Sequence, residues 1–223
     1  MTTFALVHGA GGSGWDWHLL EAELRALGHD TVAPDLPADA PTATLGDYAD
    51  VVLAALRDRE DVVVVGHSFG AFTAPLVAAA RPVHGLVLLA GMVPAPGERP
   101  DDWWAATGYR DAARAQAAAD GGLTGHEDPR VCYHHDVPDA LATEALGRER
   151  AHPSPAAGAR PWPLATWPDV PTRFVLCTRD RLFPAAFLRR VVRERLGAVP
   201  EELDAGHCAA LAQPRLLARL LDR

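Results

Sequence analysis

The 223-residue chain contains no lysine, no asparagine and no isoleucine, whereas alanine, arginine, proline and glycine are abundant. The three absent residue types are encoded by AT-rich codons. We therefore interpret their absence as the codon bias of a GC-rich, bacterial genome and not as a signal of function. Nearly half of the residues are apolar and 22% are charged, which is the composition of an ordinary globular protein.

Cysteine is scarce, and the three cysteines, Cys132, Cys177 and Cys208, form no Cys-x-x-Cys pair. An odd number of cysteines at this spacing argues against a disulfide framework and against a zinc site. We predict that Cys177 fills the core from an apolar strand and that Cys208 lines a pocket. The adjacent histidines His134 and His135 are a weak metal signal without further ligands, and we expect no metal and no cofactor.

The chain also lacks a basic stripe, a long apolar run and a leader pattern. Its net charge is −8, and the absence of a basic cluster argues against a nucleic-acid partner. No apolar run approaches the about 20 residues that span a bilayer, and the first strand pattern begins at residue 3 without a signal-peptide pattern. We expect a cytoplasmic protein with no membrane partner, acting as a monomer or homodimer.

Strand and helix patterns alternate along the chain, and its length suits one domain with a sizeable core. The strand patterns are near-continuous apolar runs, which are typical of strands buried on both faces of a parallel sheet. The sequence predicts an α/β fold with about six mostly parallel strands flanked by helices. Predicted strands cover residues 3–8, 30–33, 62–66, 83–90, 172–178 and 199–203, and predicted helices cover residues 15–27, 45–57, 69–80, 184–196 and 209–221.

Residues 94–171 interrupt the alternation with a segment rich in alanine, proline, aspartate and tryptophan. Helices are predicted near residues 101–119 and 139–150. A structureless loop of this length is uncommon in a compact domain, and the large aromatic residues argue against a disordered insert. We predict a small helical cap over the sheet, inserted after the fourth strand, with residues 1–93 and 172–223 forming the α/β core of a single structural domain.

Residues 66–70 read Gly-His-Ser-Phe-Gly between the third strand pattern and a helix pattern. A Gly-x-Ser-x-Gly in this setting is the signature of a nucleophile elbow, a sharp turn that presents the serine hydroxyl above a sheet. Small residues are needed at Gly66 and Gly70 because the strand and helix backbones pass close to the turn. The alternative is a chance match in a loop, which the flanking strand and helix disfavour. We predict Ser68 as the nucleophile.

A serine nucleophile needs a base that an acid orients, and in elbow hydrolases the chain order is serine, acid, histidine. Asp180 follows the fifth strand, and His207 is the only histidine downstream of it. We predict these two as the acid and the base. Asp180 could instead cap the next helix or pair with an arginine. Asp204 is the fallback acid, whereas Asp169 lies at the amino end of the strand, on the wrong side of the sheet.

Residues 8–14, which read His-Gly-Ala-Gly-Gly-Ser-Gly, follow the first strand pattern. This resembles the His-Gly loop that helps to form the oxyanion hole of elbow hydrolases. We predict that the backbone N–H groups of Ala10 and Phe69 form that hole. The glycines superficially suggest phosphate binding, but neither Gly-Lys-Ser/Thr nor Gly-x-Gly-x-x-Gly is present.

With these residues in place, the chain resembles the α/β-hydrolases. More narrowly, it resembles the branch of plant methylesterases, salicylate-binding esterases and hydroxynitrile lyases with their bacterial relatives. The resemblance implies a six-stranded core without the two leading strands of larger relatives. The matching segments are residues 6–10, 15–17, 66–70, 177–184 and 206–207.

Two departures from this branch bear on the reaction. Its lyases carry a threonine after the first-strand histidine and a lysine after the catalytic histidine, where this chain has Gly9 and Cys208. Because that lysine stabilises the departing cyanide, the resemblance favours an esterase. It implies a serine hydrolase that cleaves a small hydrophobic carboxylic ester through a Ser-His-Asp triad and an acyl-enzyme. The residues predicted to bind the substrate are Gly9, His67, Trp103, Tyr133, Phe183 and Cys208.

Other functions use the same motifs, since a fold does not dictate a reaction. A thioesterase, a C–C bond hydrolase, an amidase or a lyase of a biosynthetic pathway would carry them too. A non-catalytic receptor for a small molecule is an alternative of a different class, and the intact Ser-Asp-His set argues against it.

Overall fold

Six parallel strands form one sheet in the computed structural model, which describes residues 1–151 and 153–223. The strand order across the sheet is β2-β1-β3-β4-β5-β6. The predicted α/β hydrolase fold is confirmed, and all five strand pairs are parallel. The strands are β1 (Thr3–Val7), β2 (Asp30–Val32), β3 (Val62–His67), β4 (Gly85–Leu89), β5 (Thr172–Cys177) and β6 (Glu201–Leu203).

Eleven α-helices are present in the described part of the chain. Three short 3-10 helices accompany them, over Gly14–Trp17, Ser68–Phe72 and Pro100–Asp102. The α-helices are α1 (His18–Ala26), α2 (Leu45–Leu56), α3 (Ala74–Ala80), α4 (Trp103–Ala106), α5 (Tyr109–Ala119), α6 (Pro129–Cys132), α7 (Asp139–Gly147), α8 (Pro155–Ala159), α9 (Ala185–Leu196), α10 (Ala209–Ala212) and α11 (Pro214–Leu221).

Apolar side chains on both faces of the sheet explain the continuous apolar strand patterns. In β1, Phe4 and Leu6 join a core with α1 and α11, whereas Ala5 and Val7 join the core formed with α2, α3 and α9. Successive residues of a strand point to opposite faces, so a strand covered on both sides needs apolar residues throughout. The two layers fix the carboxyl ends of the strands, where the loops with the predicted site residues emerge.

Several predicted helices are divided in the structure, at positions that have a local cause. The 101–119 helix breaks at Gly108, whose φ of +67° no continuous helix adopts. The 209–221 helix breaks before Pro214, which lacks an N–H and begins α11 instead. The short helices α6 and α8 were not predicted. Each begins with a proline after a side-chain cap, Asp128 for α6 and Ser154 for α8.

Residues 94–171, here called the insertion, carry α4 to α8 between β4 and β5. The insertion shares the main core, because Trp103, Ala157 and Trp162 pack in the same cluster as the sheet. The indole N–H of Trp162 donates to the carbonyl of Phe72 at 2.9 Å. The division into a core of residues 1–93 and 172–223 and a cap stays a prediction. Among the helices of the described residues, none is long and apolar enough to cross a bilayer.

Candidate active site

Ser68 occupies a strained turn at the carboxyl end of β3. Its φ is +51°, a left-handed value that is uncommon for a residue with a side chain. The turn is crowded on both sides: a Cβ on Gly66 would lie 2.8 Å from the Cβ of Ala74, and one on Gly70 would lie 2.5 Å from the carbonyl oxygen of Val7. Any larger residue would collide at either position, so the glycines permit the close approach that the elbow needs.

Asp180 and His207 form a buried hydrogen-bonded pair. His207 donates from Nδ1 to Asp180 Oδ2 at 2.8 Å, and the two side chains are 5% and 0% exposed. The other carboxylate oxygen, Oδ1, accepts from the backbone N–H groups of Leu182 at 2.8 Å and Phe183 at 3.0 Å. These two bonds lie in the loop before α9, and among the described residues no side chain caps the first turn of that helix, so Asp180 does not act as the helix cap considered as an alternative. Because Nδ1 carries the shared proton, Nε2 of His207 remains a proton acceptor.

The two rival acids lie elsewhere. Asp204 pairs with Arg179, with its Oδ1 2.8 Å from the Nε of that arginine, and its side chain is 79% exposed. Asp169 precedes β5, at the amino end of the strand. Among the three candidate acids, the structure brings Asp180 to His207.

His67 supports His207 from inside the elbow. Its Nε2–H donates to the carbonyl oxygen of His207 at 3.0 Å, and the two ring centroids are 4.7 Å apart. Burial and the neighbouring His207 lower the pKa of His67 to about 3. His67 is therefore a neutral donor at physiological pH, which suits a bracing role.

His8 is a second buried neutral histidine, at the end of β1. The N–H of Leu36 donates to its Nε2 at 3.0 Å, so its Nδ1–H donates to the carbonyl of Gly9 at 2.8 Å. Burial also lowers the pKa of His8. This bond fixes the first peptide of the glycine-rich loop next to Ser68.

The two buried histidines predict how stability depends on pH. Their pKa values are lowered in the folded state, so below about pH 6.5 the unfolded chain binds protons that the folded chain does not. The stabilising contribution of both histidines is complete above that pH and is lost as the pH falls through the lowered pKa of each, which for His67 is about 3. We expect the free energy of unfolding, measured with urea, to decrease from pH 7 to pH 5, and to decrease less in His67→Gln. An equal pH slope in the variant would contradict this assignment.

The glycine-rich loop contacts the nucleophile. A Cβ on Gly9 would lie 3.0 Å from the Cβ of Ser68, and Ala10 and Phe69 line the same cavity as Ser68. Within residues 1–151 and 153–223, no backbone carbonyl accepts from the N–H of Ala10 or of Phe69. An oxyanion hole requires backbone donors that are not already used, and these two N–H groups meet that condition.

A cavity of about 360 Å³ covers Ser68 and His207. Four of the six predicted substrate-binding residues lie on its wall: Gly9, His67, Tyr133 and Cys208.

The other two, Trp103 and Phe183, do not line the cavity. The prediction that these two side chains contact a ligand is therefore corrected. Both are fully buried. The indole N–H of Trp103 donates to the carbonyl of Val93 at 2.9 Å, and the ring of Phe183 packs behind His207 with centroids 5.5 Å apart. Their sequence neighbours Trp104 and Leu182 line the cavity instead.

Three acidic residues on the cavity wall were not predicted: Asp16, Asp101 and Glu149. Asp16 accepts from the N–H of Ser13 at 2.9 Å in a capping box, and burial raises the pKa of its carboxyl group. The Ser-x-x-Asp spacing of that box is a sequence signal for the helix start but not for a pocket. No arginine lies on the wall among the residues that the structure describes.

Two of the three cysteines, Cys177 and Cys208, are poorly suited to act as nucleophiles. Cys177 is fully buried in β5, in agreement with its predicted place in the core. Burial raises the pKa of the Cys208 thiol well above its ordinary value, so this thiol stays protonated at neutral pH and lacks the reactive thiolate form. In the described part of the chain, no cluster of three or more His, Cys, Asp or Glu residues could hold a metal ion.

The chain is similar to known esterases and hydrolases over nearly its whole length. The chain is 34% identical over 239 residues to lipase LipV of Mycobacterium tuberculosis, covering 96% of this chain and 90% of that protein. It is 25% identical over 249 residues to polyneuridine aldehyde esterase of Rauvolfia serpentina, covering 98% and 93%. The crystal structure of a pyrethroid hydrolase from Sphingobium faniae JZ-2 has a TM-score of 0.78 at 22% identity, covering 99% of this chain and 96% of that one.

These relatives, with a lipase and an esterase among them, support the predicted enzyme class, a carboxylic ester hydrolase. The model of the alpha/beta hydrolase family matches residues 4–220, nearly the whole length of the sequence. The chain belongs to the alpha/beta hydrolase family.

Proposed function

We propose that this hydrolase cleaves small hydrophobic carboxylic esters with Ser68 as nucleophile, His207 as general base and Asp180 as the orienting acid. The observation that carries the proposal is that the strained turn of Ser68 and the ring of His207, bonded to Asp180, face one cavity. A serine hydroxyl is a weak nucleophile at neutral pH and needs such a base.

The proposed reaction has two halves. In the first, Ser68 Oγ attacks the acyl carbon while Nε2 of His207 takes the hydroxyl proton and then gives it to the departing alcohol. The N–H groups of Ala10 and Phe69 stabilise the negative oxygen that develops on the acyl carbon. In the second, His207 activates a water that releases the acid and restores Ser68. Asp180 stabilises the charged imidazolium during both halves without taking its proton.

The walls of the cavity support the choice of a small hydrophobic substrate. Its volume of about 360 Å³ lies toward the lower end of ligand pockets, which range from roughly 300 to 1,000 Å³. Its apolar wall includes Met92, Trp104, Leu146, Leu182 and Leu211. Carboxylates on the same wall disfavour a substrate that carries its own negative charge near them.

The neutral thiol of Cys208 favours ester hydrolysis over cyanohydrin cleavage. A lyase of the type described above needs a cation beside the catalytic histidine to hold departing cyanide. Cys208 follows His207 directly, and burial raises its pKa, so it supplies a neutral group.

A series of p-nitrophenyl esters with two to eight acyl carbons tests the proposal. We expect kcat/KM to be highest for short or medium chains. We expect Leu146→Ala, which removes a side chain from the cavity wall, to move this optimum toward longer chains. Each additional methylene that fits is worth about 1–3 kcal/mol of discrimination.

The matched control is Leu141→Ala, since Leu141 also lies in α7 but is absent from the cavity wall. It should keep the wild-type chain-length profile. No turnover of any ester by the wild-type enzyme would contradict the proposed activity.

A further inference from the structure

We propose that Asp136, in the insertion, is a positioning residue that holds the loop of His207 in place for the reaction. This inference rests on the proposed function. Asp136 lies between α6 and α7 and is far in sequence from the three residues of the triad. It touches the residue directly before His207, and its neighbour His135 touches the residue directly before Asp180.

The first contact is with Gly206. The backbone N–H of Gly206 donates to Asp136 Oδ2 at 2.6 Å, a short bond of the charge-assisted kind. The guanidinium of Arg179 lies 3.4 Å from the same carboxylate oxygen. Asp136 thus fixes the peptide through which the chain enters His207.

The second contact is with the loop of Asp180. His135 donates from Nε2 to the carbonyl oxygen of Arg179 at 2.9 Å. Residues 135 and 136 therefore hold both chain segments that carry the Asp180–His207 pair, each at the position immediately before the catalytic side chain.

The backbone hydrogen bonds between the two loops end at Ala205, before His207 is reached. The N–H of Arg179 donates to the carbonyl of Ala205 at 3.0 Å, and that of Thr178 donates to Leu203 at 2.9 Å. Gly206 follows these ties, and its N–H is held by Asp136. Without Asp136, the chain between Ala205 and His207 loses the bond that fixes this peptide.

The absence of a side chain at position 206 fits this arrangement. A Cβ on Gly206 would lie 2.5 Å from Asp136 Oδ1 and 2.8 Å from His135 Nε2. Glycine lets the carboxylate and the imidazole approach the backbone. We infer that residue 206 is glycine because the insertion contacts it, whereas Gly66 and Gly70 serve the elbow itself.

Asp136 is poorly suited to a purely stabilising role. Its side chain is 7% exposed, and its buried Oδ1 has no hydrogen-bond partner among the described residues. A buried acceptor without a partner costs stability. The favourable interactions of this side chain are therefore those of Oδ2, with the N–H of Gly206 and the guanidinium of Arg179.

Asp136→Ala, assayed in the full chain with p-nitrophenyl butyrate, tests the inference. We expect kcat to fall by about 100-fold, the size of effect that a misplacement near 1 Å produces, while KM changes little because Asp136 is absent from the cavity wall. Asp136→Asn should recover most of the lost turnover, since its amide oxygen can still accept from Gly206. Gly206→Ala should reproduce the loss with Asp136 still present.

The matched control is Glu127→Ala, which removes one negative charge from an exposed position of the same insertion and should leave kcat unchanged. Wild-type kcat in Asp136→Ala would overturn the inference, and so would an equal loss in the alanine and asparagine variants.

A spectroscopic measurement separates this inference from the proposed activity. We expect the proton between His207 Nδ1 and Asp180 to give a downfield ¹H NMR signal in the resting enzyme. This signal should shift or broaden in Asp136→Ala and persist in Glu127→Ala. If the wild type hydrolysed no ester, the proposed activity would be wrong. The NMR signal could still be compared between the wild type and Asp136→Ala, so the role of Asp136 in positioning His207 would remain testable. An unchanged signal in Asp136→Ala, together with normal kcat in an active enzyme, would reject the positioning alone.

Discussion

Replacing Ser68 with alanine is expected to lower kcat for p-nitrophenyl esters by about 10⁶-fold, the size of effect seen when a triad loses its nucleophile. Alanine removes the attacking oxygen and leaves the cavity wall, the oxyanion donors and the Asp180–His207 pair in place. Any residual rate would come from binding and from the oxyanion hole.

The fold of Ser68→Ala should be unchanged, since alanine is smaller than serine and keeps the same backbone at φ +51°. The melting temperature and circular dichroism of the variant serve as controls. Turnover near the wild-type rate in a folded Ser68→Ala protein would contradict the proposed mechanism.

Replacing Asp180 with asparagine is expected to lower kcat by about 10⁴-fold. The amide oxygen can still accept from Leu182 and Phe183, as Oδ1 does now, so the loop keeps its shape. The amide nitrogen then faces Nδ1 of His207 as a donor. His207 must carry its proton on Nε2 to accept that bond, and a protonated Nε2 cannot take the proton of Ser68.

The measurement is kcat for Asp180→Asn beside Asp204→Asn. Turnover near the wild-type rate in the first variant, with a large loss in the second, would move the acid to Asp204.

The positions of Ser68, Asp180 and His207 were predictable, the first from a local motif and the other two from the order of the strands. A Gly-x-Ser-x-Gly between a strand and a helix specifies Ser68 within five residues, and the collisions that a Cβ would make at Gly66 and Gly70 explain why the signal is strict. Asp180 and His207 could be paired because parallel strands end at one edge of the sheet, which brings the following loops together. The strands themselves were predictable because burial on both faces leaves uninterrupted apolar runs.

The wall of the cavity was harder to predict because it depends on the rotation of short helices in the insertion. Trp103 and Trp104 are adjacent in α4, and one turns into the core while the other faces the cavity. The sequence predicts that a tryptophan of this segment lines the cavity, but it does not show which of the two adjacent tryptophans does so. In the same way, the sequence does not show that Leu182 lines the cavity while Phe183 is buried behind it. Asp136 gave no signal at all, since its role arises from a contact between residues 70 positions apart.

Covalent labelling with a fluorophosphonate, followed by mass spectrometry of proteolytic peptides, tests the central claim most directly. The account predicts one adduct per chain, on Ser68, that is absent in Ser68→Ala. An adduct on another residue, or no adduct in an enzyme that hydrolyses esters, would contradict the assignment of Ser68 as nucleophile.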